Sequence, residues 1–166
     1  MDTDRDDLEQ SRDETRAAFE NRALVYAALY EELSDELGQE RASEVMRRAI
    51  YRRGVEIGRK YRAAAATRDL EEVGRLFCDG SPCQGALFEP GVEELDDERT
   101  VLSMASCPLV DAWRESGLDP EEIDALCVIA AAVDEGTFEG AGLELTFLDR
   151  LGRPGSQRCL LEITLP

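Results

Sequence analysis

The chain has 166 residues, 43% of them apolar, and a formal net charge of −18. Thirty-seven acidic residues face nineteen basic ones, Lys60 is the single lysine, and histidine is absent. Without imidazole, Ser-His-Asp and Cys-His machinery and His-ligated metals are excluded, and a chain this acidic lacks the basic face that phosphate neutralisation needs, which argues against nucleic acid.

The length fits one domain over residues 1–166, large enough to bury a core. It divides into a disordered tail over 1–5, a helical part over 6–78, and a sheet with two helices over 84–164. No apolar run approaches the roughly 18 to 20 residues of a membrane span. The start, Met1-Asp-Thr-Asp-Arg-Asp-Asp, is neither a signal nor a transit peptide, so the sequence reads as cytoplasmic. Dense carboxylates with almost no lysine fit a high-salt cytosol, where the screening length falls to about 3 Å at 1 M. An acidic surface that docks a basic partner is the alternative, but the charge is spread along the chain rather than gathered in a block. Five cysteines, an odd number, do not suggest a disulfide framework. Cys78 and Cys83 are spaced C-x4-C, but no second pair completes a zinc knuckle.

Taken in chain order, apolar positions recur at helical spacing from Asp6 to Leu37, through Leu8, Phe19, Val25, Leu29 and Leu33, and Gly38 supplies the stop. A second helix is predicted from Gln39 to about Ala65. One face carries Ala42, Met46, Ile50 and Ile57; the other carries Arg47, Arg48, Arg52, Arg53 and Arg59. Gly54 and Gly58 inside it each cost about 1 kcal/mol relative to alanine, which a close helix–helix approach would explain. A third helix covers Asp69 to about Phe77. Short strands are predicted at 85–89, 92–96 and 100–106, and helices at 108–116 and 120–133. The last of these starts on Asp119 as N-cap, Pro120 at N1 and Glu122 at N3, a capping-box pattern. A final hairpin sets Leu143, Leu145 and Phe147 against Cys159, Leu161 and Ile163. The fold class is therefore α+β, with long N-terminal helices packed on an antiparallel sheet of about five strands and two short helices inserted.

Chemistry must run through thiols, carboxylates, tyrosines, backbone dipoles or a cofactor. Proline at N1 places Cys107 at the N-cap of helix 108–116, where the helix field favours thiolate. Asp111, one turn on, would be a base, a ligand or a first-turn acid. Cys127 lies among Ile123, Leu126 and Ile129, and Asp134 is seven residues later. If the helix continues, that carboxyl shares the face of Cys127 and needs a partner, a proton or a ligand. If it ends at 133, Asp134 merely leads into a turn. Cys159 has the strand parity of Leu161 and Ile163, so its sulfur points to the core. If Cys107, Cys127 and Cys159 converge, they form either a soft metal site for zinc or iron or, around one activated thiolate, a nucleophile with an acid/base partner. Trp113 serves as a core anchor or a pocket wall. Any of Arg52, Arg53 or Arg59 that turned inward would clamp a substrate carboxylate.

Several of these segments together resemble one family. Arg48-Ala-Ile-Tyr-Arg-Arg-Gly-Val-Glu-Ile-Gly, Cys107-Pro-Leu-Val-Asp-Ala-Trp, Leu126-Cys127 followed by Val133-Asp134-Glu135-Gly136, and Gly155 leading to Cys159 are similar to the L-2-amino-thiazoline-4-carboxylic acid hydrolase family over roughly residues 20–164. The resemblance implies a small cytoplasmic hydrolase-like protein that opens a cyclic cysteine precursor by C–N bond hydrolysis. It also implies kinship with 4-vinyl reductase type small-ligand-binding domains, an α+β fold that dimerises. On the enzyme reading, water or the Cys107 thiolate attacks the amidine-like carbon, Asp111 or Asp134 moves protons, and helix N–H groups at 108–110 stabilise developing charge. The rival reading is a non-catalytic sensor whose cysteines bind a metal or small ligand. A third has the cysteines as core filler.

Overall fold

The computed structural model describes the backbone of residues 2–166 and the side chains of residues 7–166. The expected disordered tail over 1–5 falls partly on Met1, outside the described residues; from Asp2 the backbone is already helical. Helix α1 runs Asp2–Leu37 and α2 runs Gln39–Gly58, separated by Gly38 at φ 81°, a conformation that suits glycine. After a 3-10 turn at Arg59–Tyr61 come α3, Arg62–Ala66, and α4, Leu70–Asp79, capped by Asp69 accepting from the Glu72 amide. Strands β1, Pro90–Leu95, and β2, Arg99–Met104, form a hairpin. Helices α5, Pro108–Glu115, and α6, Pro120–Glu139, precede β3, Glu144–Asp149, and β4, Cys159–Thr164. The four strands form one antiparallel sheet in the order β1-β2-β4-β3.

The α+β class holds, with four strands in place of about five. The segment expected as a strand over 85–89 is a turn. Cys83, Gln84, Gly85 and Glu89 all have positive φ, and the Glu89 amide donates back to the Gly85 carbonyl at 2.7 Å. Leu87 is fully buried there, so an apolar anchor inside a turn produced the strand-like pattern. The hairpin register is as expected where it can be compared: Leu145 opposes Ile163 and Phe147 opposes Leu161. The capping box on α6 is complete, with Asp119 accepting from the Glu122 amide and Glu122 accepting from the Asp119 amide.

Two differences from the sequence expectation matter for the site. Helix α2 ends at Gly58 rather than near Ala65, and α6 runs to Glu139 rather than 133. The second follows from helix packing. A Cβ on Gly54 would sit 2.2 Å from the Val133 carbonyl oxygen, and one on Gly136 would sit 2.1 Å from that of Tyr51. Gly54, Gly58, Gly136 and Gly140 thus let α2 and α6 approach backbone to backbone, and the contact sustains α6 through glycines that would otherwise weaken it. Thr137 Oγ1 donates to the Val133 and Gly54 carbonyls across this seam. Arg47 turns out of the arginine face to grip both oxygens of Glu135 and the Val128 carbonyl. The core runs through both parts of the chain and joins Ala23, Tyr61, Val73, Leu102, Trp113, Leu126, Phe138 and Leu161.

Candidate active site

A cavity of about 710 Å³ opens between the helical layer and the sheet. Cys107, Cys127, Cys159, Asp134, Trp113 and Arg53 all border it, so sulfurs 52 residues apart in the sequence face one space. Aromatic and aliphatic side chains supply most of the wall. Among the described residues no helix is long and apolar enough to cross a membrane.

Each sulfur is set by the element that carries it. Cys107 has extended backbone, φ −150°, at the N-cap of α5, with Pro108 at N1 as expected. The expected thiolate does not follow. Burial pushes the Cys107 thiol up to about 11, and the amides of Leu109 and Val110, which favour the anion, only partly oppose this. Desolvation in an apolar wall outweighs two backbone dipoles. Those two amides are also the helix N–H groups near the sulfur, since Pro108 has none. Cys159 lies on β4 with its sulfur on the buried side and accepts from the Leu151 amide at 3.3 Å; burial pushes its thiol to about 12. Burial also raises the Cys127 thiol, and the Gly152 amide faces its sulfur. A Cβ on Gly152 would lie 2.2 Å from Cys127 Cβ, so the loop after β3 packs directly on this cysteine. Cys127 and Cys159 therefore secure the start of the β3–β4 loop.

These commitments bear on the metal expectation. Among the described residues no group of three or more Cys, Asp or Glu side chains is arranged to hold a metal ion. Cys107, Cys127 and Cys159, the residues expected as zinc or iron ligands, border a shared space in which burial raises each thiol, and two of them face loop amides. All five cysteines, including Cys78 and Cys83, are free thiols.

Asp134 resolves the fork left by the sequence. Because α6 continues past it, the carboxyl lies two turns from Cys127 on the cavity side. Burial, helped by the negative charge of Glu135, pushes it up to about 7, far above an ordinary aspartate. Its field, after burial itself, also raises the Tyr61 phenol, another cavity-lining group. A carboxyl poised near neutrality in an apolar cavity can both take and give a proton.

The other expected residues divide. Asp111 lies off the cavity lining, half-exposed, 3.7 Å from Arg114, as a first-turn acid of α5. Arg52 and Arg59 are exposed and do not border the cavity. Arg53 does border it while pairing with Glu56 at 2.9 Å. Trp113 is fully buried and donates from Nε1 to the Ala23 carbonyl at 2.7 Å, so it is at once a core anchor and a wall of the cavity.

Sequence reasoning missed Arg22, Lys60 and Arg150, which also line the cavity. Lys60 carried a signal as the single lysine of the chain, and burial lowers its pKa. Arg150, just past the end of β3, carried none. With Arg53 these make four basic side chains around the cavity, where Asp134 is the acidic one, in a protein whose net charge is −18. The cavity is thus electrostatically suited to an anion.

A family model described as L-2-amino-thiazoline-4-carboxylic acid hydrolase matches residues 16–161, a span that contains every cavity residue named above. No curated protein matches the chain. The family match extends over nearly the whole sequence, from α1 to β4, and the chain belongs to the L-2-amino-thiazoline-4-carboxylic acid hydrolase family.

Proposed function

We propose that the cavity opens a small ring of the 2-amino-thiazoline-4-carboxylate type by hydrolysing its ring C–N bond. The observation that carries this reading is Asp134, a carboxyl pushed to about 7 inside an apolar, basic-lined cavity. In its ionised form Asp134 takes a proton from water as the oxygen adds to the amidine carbon. Asp134 hands that proton to the ring nitrogen as the C=N bond becomes single, which returns the carboxylate. When the tetrahedral carbon collapses to a carbonyl, the ring C–N bond breaks, and the proton from its hydroxyl ends on the departing amine. One water is consumed, and an S-carbamoyl amino acid is the product. The Leu109 and Val110 amides at the start of α5 stabilise negative charge developing at the cavity wall.

Water is preferred over Cys107 as the nucleophile because burial holds that thiol protonated, up to about 11. Cys107, Cys127 and Cys159 then shape the wall. The test is ring-opening turnover in molar salt. Wild type should hydrolyse the thiazoline carboxylate, Asp134→Asn should lose about a hundredfold or more, and Cys107→Ala should stay within about tenfold. Absence of turnover in wild type with tight binding of the heterocycle would favour the ligand-binding reading. Complete loss in Cys107→Ala alone would favour thiolate attack.

A further inference from the structure

The ring-opening steps above use one proton acceptor, Asp134, and leave Tyr61 without a part. Tyr61 is 3% exposed and packs its ring against that of Phe138, centroids 5.2 Å apart. Phe138 follows Asp134 by four residues on α6, about one helical turn, so the two share a face. The α2–α6 seam brings the same neighbours together from the other side. Gly58, three residues before Tyr61, meets Thr137, three residues after Asp134: a Cβ on Gly58 would lie 2.2 Å from the Thr137 carbonyl oxygen. Phenol and carboxyl therefore meet on one stretch of the cavity lining.

Both groups lack partners. Neither Tyr61 Oη nor the Asp134 carboxyl makes a hydrogen bond to another described residue. The unpartnered hydroxyls of Ser34 and Ser81 are closed off inside the protein, whereas that of Tyr61 is not. A buried tyrosine ordinarily satisfies its hydroxyl, and phenylalanine would fill this aromatic corner equally well, so packing does not account for the oxygen. Burial, and after it the charge of Asp134, hold the phenol protonated. Tyr61 thus offers a donor, and Asp134 when ionised offers an acceptor. The two interact electrostatically without hydrogen-bonding each other.

We propose that Tyr61 is a second catalytic residue of this cavity, its hydroxyl donating to the same water whose proton Asp134 accepts. The role rests on the hydrolytic reading above. One lone pair of the water then lies on Tyr61 and one proton on Asp134, which leaves the other lone pair for the amidine carbon. No proton leaves Tyr61 at any step. Its hydrogen bond stays on the oxygen as that atom becomes the hydroxyl and then the carbonyl of the product.

Tyr61→Phe removes the oxygen and keeps the ring against Phe138 and beneath Lys60. Its denaturation midpoint should not fall, since the lost oxygen has no partner in the protein. Ring opening of 2-amino-thiazoline-4-carboxylate is then followed in wild type, Tyr61→Phe, Asp134→Asn and the double variant. Tyr61→Phe should lower kcat at least about tenfold with KM unchanged within about threefold. Its rate should still rise through an inflection near 7, because Asp134 remains the acceptor. In the Asp134→Asn background the same change should cost less than about threefold, because both side chains act on one water. A merely structural tyrosine would cost the same in both backgrounds or act through KM, and either result overturns the proposal. Full activity in Tyr61→Phe also overturns it and leaves the hydrolytic reading intact. Loss of the inflection in Tyr61→Phe would make the phenol the titrating group and refute the role given to it. Absence of turnover in wild type overturns both readings.

Discussion

Replacing Asp134 with asparagine removes a cavity-facing carboxyl and should change how stability depends on pH. In the unfolded chain this group titrates near its ordinary value of 3.8, and in the fold burial raises it to about 7. Below about pH 4 both states hold the proton, so the group contributes no pH dependence there. Between about pH 4 and 7 only the folded state holds it, and wild-type stability falls as pH rises. Above about pH 7 both states are ionised and the buried charge is fully costly. A shift of about three pH units at 1.36 kcal/mol each makes that cost about 4 kcal/mol. Denaturation by urea in molar salt, run from pH 4 to 8.5 on both proteins, checks this. The advantage of Asp134→Asn over wild type should grow with pH and level off above 7; the other carboxylates cancel in the difference. Parallel stability curves across that range would show that Asp134 is solvated like a surface acid, and the reasoning about its proton would fail.

Three further outcomes follow from the packing. Gly54→Ala forces a methyl to within 2.2 Å of the Val133 carbonyl and should cost about 3 kcal/mol by overpacking the α2–α6 seam; a loss under about 1 kcal/mol, read from the denaturation midpoint, would mean the helices separate easily. Site-resolved alkylation should find Cys107 sluggish at pH 8 and accelerating only as pH approaches 11; rapid labelling near neutrality would contradict its protonated state. Asp119→Ala breaks the α6 capping box and should lower stability by about 1 kcal/mol, a change that calorimetry would detect, whereas no change would show that α6 does not depend on its cap.

What the sequence made legible was local. The capping box at Asp119, the Pro108 start of α5, the stop at Gly38 and the parity of Cys159 each depend on neighbours a few residues away, and the structure has them all. Whether Cys107, Cys127 and Cys159 converge, and on which side Asp134 lies, stayed open in the sequence; in the fold all four border one cavity. The misreadings were long-range. Periodicity halted α6 at its glycines, yet those glycines fit against α2, a partner some 80 residues away in sequence. The N-cap position of Cys107 pointed to thiolate because the helix field is visible in sequence and the depth of burial is not. Asp111 was equally plausible as an acid/base by spacing, but the turn of α5 carries it off the cavity lining toward Arg114. Arg150 belongs to no motif, and its place on the cavity lining comes from packing that a sequence does not display.

The most direct test of the central claim is the pH dependence of kcat/KM for ring opening of the thiazoline carboxylate. With Asp134 as proton acceptor in the free enzyme, the rate should rise through an apparent pKa near 7 and then level off, and Asp134→Asn should lose both the rate and the inflection. A wild-type profile that is flat between pH 5 and 9, or an inflection that survives in Asp134→Asn, would contradict it.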